Sequence, residues 1–335
     1  MNNRQAWIDQ ARGIGARIRL IGHISHQKMR SLYRRFVLRG KRYRPKKICG
    51  HKVFSAEMGN KKLMEMIQSG KPFAAVRYGG TEMSTYIEAK KYALGLKKDL
   101  SQSVIDDMQR QSGFFPNDVA LMPRYAQVVE ETSREVDFLA TYATPYENYM
   151  VSSFMGPDLF VSDNRALEPF YFQHNHPWSK ALEGKRVLVI HPFEDSIKKQ
   201  YAIRQKLFSD PEVLPEFELH TLKAVQTIVG TKDDRFETWF DALEYMYQEA
   251  MKIPFDIALL GCGAYGQPLA CMLKRAGKQA IHIGGATQIL FGIIGKRWEL
   301  NSKEVSAMFN EHWIRPSVEE TPVNKSANEF GGAYW

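Results

Sequence analysis

The stretch from Phe255 to Trp298 constrains this chain more than any other. An apolar run from Phe255 to Leu260 breaks into Gly261-Cys262-Gly263-Ala264-Tyr265-Gly266, a helical segment follows, and the chain then reads Gln279-Ala280-Ile281-His282-Ile283-Gly284-Gly285. Strand, glycine turn, helix and strand in that order make the phosphate-binding end of a parallel α/β sheet. Glycines let backbone N–H groups approach an anion, and the helix turns its positive end toward the same spot. No carboxylate occurs between Asp256 and Glu299, whereas Lys274, Arg275, Lys278, Lys296 and Arg297 all do. The segment is built to face negative charge.

Gly261, Gly263 and Gly266 match the dinucleotide fingerprint, which makes a nicotinamide or flavin oxidoreductase one reading. That fingerprint also requires an acid about 20 residues on, at the end of the second strand, to hold the ribose hydroxyls. His282 and Gly284 stand there instead, so a nucleotide of another kind is the better expectation. A third reading is purely structural, with the glycines allowing close helix packing.

Charge is unevenly spread. Fourteen of the 46 Lys and Arg but one of the 37 Asp and Glu fall within residues 1–50, which leaves 32 bases and 36 acids for the rest. In this arm Ile14, Ile18, Leu20, Ile21, Ile24, Met29, Leu32, Tyr33, Phe36 and Val37 interleave with Arg12, Arg17, Arg19, Lys28, Arg30, Arg34, Arg35 and Arg39. The spacing predicts one or two amphipathic helices lying on an anionic membrane surface; a basic face packed on the body is the structural alternative. Specific nucleic-acid recognition is not expected, because the arm lacks aromatic platforms and base-reading motifs. No run approaches the ~20 apolar residues of a transmembrane span, and no signal-peptide pattern is expected. Cys49, Cys262 and Cys271 have neither disulfide nor zinc spacing, which suits a reducing cytoplasm. The expected location is cytoplasmic, peripheral at the inner face of the cell membrane.

Strand and helix alternate along the body. Helices are expected at residues 55–69, 82–91, 101–112, 124–135, 196–208 and 235–252, and strands at 73–78, 136–140, 185–193, 217–224 and in the glycine segment. The aromatic stretch 145–177 reads as loops over the sheet. The economical architecture is a Rossmann-like α/β fold: a mostly parallel sheet with helices on both faces, preceded by the basic helical arm. The expected division is the arm at 1–50, a catalytic domain at 51–315 and a C-terminal tail at 316–335, loosely docked with Tyr334 and Trp335 tucked back. Ligands of such sheets bind at the carboxyl ends of the strands. Four ends carry reactive or glycine-rich groups: Arg77 to Glu82, His191 to Ser196, Gly261 to Gly266, and His282 to Gln288.

Arg77-Tyr78-Gly79-Gly80-Thr81-Glu82 joins a fixed cation and a carboxylate across a tight turn. Arg77 can fork onto a phosphate or hold Glu82, and Glu82 can bind a cation, accept a sugar hydroxyl or act as a base; a structural ion pair is the plainer alternative. This Arg-aromatic-Gly-x-x-Glu turn, the His-Pro-Phe-x-x-Ser strand end at His191–Ser196, and the late glycine unit closing in Ile281-His282-Ile283-Gly284 together resemble bacterial GT-D type glycosyltransferases. The resemblance spans residues 55 to 300 and lies in the joint order of the motifs, since each alone is weak.

What the resemblance implies is a single Rossmann-like domain that transfers a sugar from a nucleotide diphosphate sugar, commonly a UDP-sugar, to a lipid-linked or polymeric saccharide acceptor in surface glycan assembly. It also implies a divalent cation, Mn²⁺ or Mg²⁺, on an Asp-x-Glu pair. Here Gly80 takes the place of the Asp and Glu82 stands alone, so Arg77, Lys296, Arg297 and backbone amides share or take over neutralisation of the diphosphate. On this reading Gly79, Gly80, Gly261, Gly263 and Gly266 surround the diphosphate, and Tyr265 stacks on base or sugar. His191, Ser196, His282, Gly284, Gly285 and Gln288 line the crevice. Glu82 is the first candidate for catalysis or metal binding; Glu194 or Asp195 is a candidate base, with capping of the following helix as the alternative. His174 and His176 offer a weak metal pattern without a third ligand. A noncatalytic nucleotide- or glycan-binding protein remains the other rival, made plausible by Gly80.

Overall fold

A computed structural model describes residues 14–36, 45–144 and 146–335. In chain order its main elements are α1 (Ile14–Phe36), β1 (Lys47–Ile48), β2 (His51–Phe54), α2 (Ala56–Gln68), β3 (Phe73–Val76), α3 (Gly80–Ala93), α4 (Gln102–Ser112), α5 (Met122–Ser133), β4 (Phe138–Thr141), α6 (Glu147–Phe154), β5 (Phe160–Asp163), β6 (Arg186–His191), α7 (Glu194–Ala202), β7 (Glu218–Lys223), α8 (Trp239–Lys252), β8 (Ile257–Leu260), α9 (Gly266–Arg275) and β9 (Gln279–His282). Short helices at Thr287–Leu290, Lys296–Asn301 and Lys303–Ser306 lead to the tail. The arm's other residues, Arg12, Val37 and Arg39 among them, lie outside the described residues.

The strands form one nine-stranded sheet in the order β1-β2-β5-β4-β3-β9-β8-β6-β7. Only β1 and β2 pair antiparallel; every other pair is parallel. Side chains alternate across each strand, so Ala74 and Val76 of β3 enter one core while Phe73 and Ala75 enter the other. The first core packs Met83 and Tyr86 of α3, Tyr125 of α5, Trp239 and Leu243 of α8 and Leu269 of α9 against the sheet. Across the sheet, Leu63 and Ile67 of α2, Ile197 of α7, and Phe170 and Trp178, each in a short 3-10 turn, cover the opposite face. The Rossmann-like α/β architecture with helices on both faces is therefore present.

Local signals set the helix ends. Ser55 caps α2 by accepting from the Met58 amide at 3.3 Å, and Thr238 and Asp241 form a reciprocal capping box at the start of α8. The stretch 145–177 departs from the expectation of loops alone, since it contains α6 and β5. Phe160-Val161-Ser162-Asp163 is too short to show a strand period by itself; its pairing with β2 and β4 on either side makes it a strand. β1 and β2 went unread for the same reason, and the sheet begins at Lys47, within the range assigned to the arm.

Candidate active site at the carboxyl ends of the central strands

The four reactive strand ends read from sequence belong to β3, β9, β8 and β6, which are consecutive neighbours in the sheet. They open into two adjoining hollows that share Gly263. One is lined by Arg77, Gly79, Glu82, Gln267 and His282. The other, open to solvent, is lined by Gln111, His191, Gln226, Gly261, Gln288 and Tyr334. Two glycine turns nearly two hundred residues apart thus meet in one cleft.

Arg77 is the fixed cation of the first hollow. Its guanidinium donates to the Tyr142 hydroxyl, lies 5.3 Å from the centre of that ring and pairs with Glu168 at 3.4 Å. Burial alone would favour loss of its charge, but Tyr142, Glu168, Tyr334 and Glu82 hold it firmly protonated. Glu82, in the first turn of α3, folds its carboxylate back over Gly79: a Cβ on Gly79 would stand 1.9 Å from Oε2. Removal from water pushes the Glu82 carboxyl above its ordinary range, while its own backbone amide, Ser112 and Arg77 pull the other way. A carboxylate so placed is a stronger base than one in water.

Both histidines are neutral. The Nδ1 of His191 accepts from the Phe193 amide at 3.0 Å, which places its proton on Nε2. Desolvation lowers its pKa to about 3. His282 is likewise lowered to about 3 by desolvation and by Arg77, against a hydrogen bond with the Leu260 backbone. The unfolded chain therefore binds protons on these residues below pH ~6.5 that the folded chain refuses, so their contribution is intact above that pH and is lost as pH falls toward 3. Each should cost about 1.4 kcal/mol per pH unit in that window. The raised carboxyls of Glu82, Glu168 and Glu147, the last pushed by burial to about 7, act in the opposite sense at their own titration, so only the difference between variants isolates the histidines. From pH 7 to pH 5 the stability read from urea unfolding should drop by about 2 kcal/mol more in the parent than in His282→Gln, because the variant lacks one depressed imidazole. Equal drops in both would remove the neutral-imidazole assignment.

The glycines act differently from the sequence expectation of bare backbone around an anion. A Cβ on Gly261 would meet the His191 ring at 2.4 Å, one on Gly266 the His282 ring at 2.0 Å, one on Gly284 the Arg77 guanidinium at 2.1 Å, and one on Gly285 the Tyr334 ring at 2.6 Å. These positions make room for the site's own side chains. Gly263, with φ +58, is the glycine of the turn that both hollows touch, and Gly80 faces open space.

Other predicted residues fall elsewhere. Tyr265 lines the larger hollow, but it is buried and stacks on Trp239 at 4.9 Å and 8°, so that ring face is already taken and stacking on a base is corrected to packing in the core. Ser196 is corrected from a phosphate contact to a structural one. Its hydroxyl donates to Glu320, and the same carboxylate accepts from the amides of Asp195 at 2.8 Å and Ser196 at 3.2 Å, closing the start of α7. Glu194 is tied to Lys198 at 2.8 Å and Thr221 at 2.6 Å, Asp195 is exposed, and neither lines the cleft; surface pairing replaces the candidate base at Glu194, and the capping role falls to Glu320 rather than to either acid. Lys296 and Arg297 also lie off the lining, yet Arg297 acts electrostatically on Glu168 and Tyr334. His174 binds Ser209 and His176 faces Glu212, both away from the cleft.

Sequence reasoning missed Glu168 and Tyr142, which lie in or beside the segment read as loops. The tail does reach the site. Gln288 donates to the Tyr334 carbonyl at 3.1 Å, the Arg297 amide donates to Ala333 at 2.9 Å, and Trp335 packs on Phe193. Among the described residues the buried Gln288 Oε1 has no hydrogen-bond partner.

For a divalent cation the donor set does not fit. Among the described residues no group of three His, Cys, Asp or Glu stands together. Of the two carboxylates beside Arg77, Glu168 is committed to the arginine, which leaves Glu82 alone. No helix of the described residues is long and apolar enough to cross a membrane.

Fold and cleft together define an α/β protein with a cleft at the carboxyl ends of its central parallel strands. No protein-family model and no curated protein matches the chain. It is similar to two solved structures of domain of unknown function 1792, one a selenomethionine form and the other described as having a distinct glycosyltransferase fold. Their identities are 13% and 14% over 71% of this chain and 80% and 79% of theirs, each with a TM-score of 0.40.

Proposed function

We propose that this chain is a glycosyltransferase that moves a sugar from a nucleotide diphosphate sugar, a UDP-sugar in the first instance, to a hydroxyl of a saccharide acceptor in bacterial surface polysaccharide assembly. The observation that carries the reading is the meeting of the Arg77 turn and the Gly263 turn in one cleft. Arg77 and the amides at the start of α9 suit the diphosphate. The larger hollow carries no Lys, Arg, Asp or Glu, and its glutamines and neutral His191 suit an uncharged nucleoside.

In the step so assigned, the Glu82 carboxylate takes the proton of the acceptor hydroxyl as its oxygen bonds to the anomeric carbon. The bond from that carbon to the diphosphate breaks with its electron pair going to the diphosphate, whose growing charge Arg77 stabilises. One base and one fixed cation suffice for a single displacement with inversion, and no covalent intermediate is needed.

The dinucleotide rival loses ground at Gly266. The imidazole of His282 fills the space over the fingerprint's third glycine, where helix and strand would otherwise close up, and no acid stands at the end of β9. Thermal shifts with UDP, GDP, CMP, TDP and NAD, each with and without Mn²⁺, test the reading. One nucleoside diphosphate should raise the midpoint without added metal, because a ligand held at 100 times its Kd stabilises the folded state by about 2.7 kcal/mol. A shift with NAD alone, or none with any nucleotide, would overturn it.

A further inference from the structure

Helix α1 carries an apolar stripe that is exposed to solvent. Ile18 and Met29 are 65% and 65% exposed, and Ile21, Leu32 and Tyr33 are exposed beside them. At 3.6 residues per turn these five fall within about 120° of arc. Leu20 is fully buried, Ile24 packs on the core, and His23 lies edge-on to Tyr149 of α6 at 5.5 Å; all three project from the opposite side. The helix thus spends one apolar face on the protein and points the other outward.

Charge identifies what the outward face meets. α1 contains six Lys and Arg and no acid. Arg17 and Arg19, both exposed, stand about 100° to either side of Ile18, where long cationic side chains can reach headgroups while the stripe enters the acyl boundary. Beside them runs a groove between α1 and the β1–β2 hairpin that, among the described residues, bears Arg19, His23, His26 and Lys47 and no carboxylate. A protein partner would match the apolar stripe alone; an anionic bilayer matches stripe, flanks and groove together.

We propose that α1 docks this protein flat on an anionic lipid surface through Ile18, Ile21, Met29, Leu32 and Tyr33. The proposal does not depend on what the cleft binds. Since α6 follows the carboxyl end of β4, next to β3 in the sheet, docking through α1 holds the cleft's end of the molecule near the membrane.

The test is co-sedimentation of the full chain with vesicles of phosphatidylcholine alone or with roughly 30% phosphatidylglycerol. Binding to the anionic vesicles should be at least about tenfold tighter and should weaken toward ~0.5 M salt. Met29→Glu and Leu32→Glu should each weaken it about tenfold or more with an unchanged melting midpoint, whereas Val323→Glu, at another exposed apolar residue, should leave it unchanged. No binding to anionic vesicles, or undiminished binding by both stripe variants, overturns the proposal. So does a dimer in solution that Leu32→Glu dissociates without any vesicle binding by the parent, because the stripe would then join two copies of the chain.

Discussion

Gly284→Ala should unfold at markedly lower urea and lose nucleotide binding. Two costs coincide at this residue. Its φ of +73 is a conformation that alanine adopts only at a penalty of about 1–2 kcal/mol. The new methyl would also lie 2.1 Å from Nη2 and 2.6 Å from Nε of Arg77, so the guanidinium has to leave. Leaving breaks the contacts with Tyr142 and Glu168 and strands a buried carboxylate, a class of change that costs about 3–5 kcal/mol when the charge stays and less when Glu168 takes a proton. Burial already raises the Glu168 carboxyl, so a net loss of about 3 kcal/mol is the working figure. Gly80→Ala is the matched control. Nothing stands within 4 Å of its Cβ position, and its stability should stay within about 0.5 kcal/mol of the parent. Equal urea midpoints for Gly284→Ala and the parent would show that Arg77 does not need this glycine.

Glu82→Gln should reduce sugar transfer by about a thousandfold while the folded protein persists. The amide keeps the size of the side chain over Gly79 but cannot accept the acceptor's proton. Because burial raises the Glu82 carboxyl, the folded state gains nothing from its charge, and stability at neutral pH should hold or rise slightly. A second readout separates base from scaffold. In the parent, kcat/KM should fall as pH drops through the raised pKa of Glu82, and this acid limb should vanish from the residual activity of Glu82→Gln. Full transfer by the variant would remove Glu82 from the chemistry.

The elements legible in the sequence were those whose signal is local. The buried run Arg186–His191, the capping box of α8 and the glycine break after Leu260 each carry their own pattern, and the sheet they predict is present. Elements that depend on neighbours were hidden. β5 is a strand because β2 and β4 flank it, and Glu168 belongs to the site because the irregular chain after β5 carries it to Arg77. Ser196 shows the reverse: its place at a strand end suggested a ligand, and a tail residue more than a hundred positions away holds its hydroxyl.

By itself the sequence determined the α/β alternation, the four reactive strand ends and the basic amphipathic arm, because backbone period, turn chemistry and charge are properties of short segments. Only the tertiary structure decided that those four ends belong to adjacent strands, that His191, His282, Arg77 and Tyr334 fill the space their glycine neighbours leave, and that Tyr265 packs on Trp239. Strand order and side-chain packing are set by contacts between residues far apart in the chain, and no local pattern records which segments will meet.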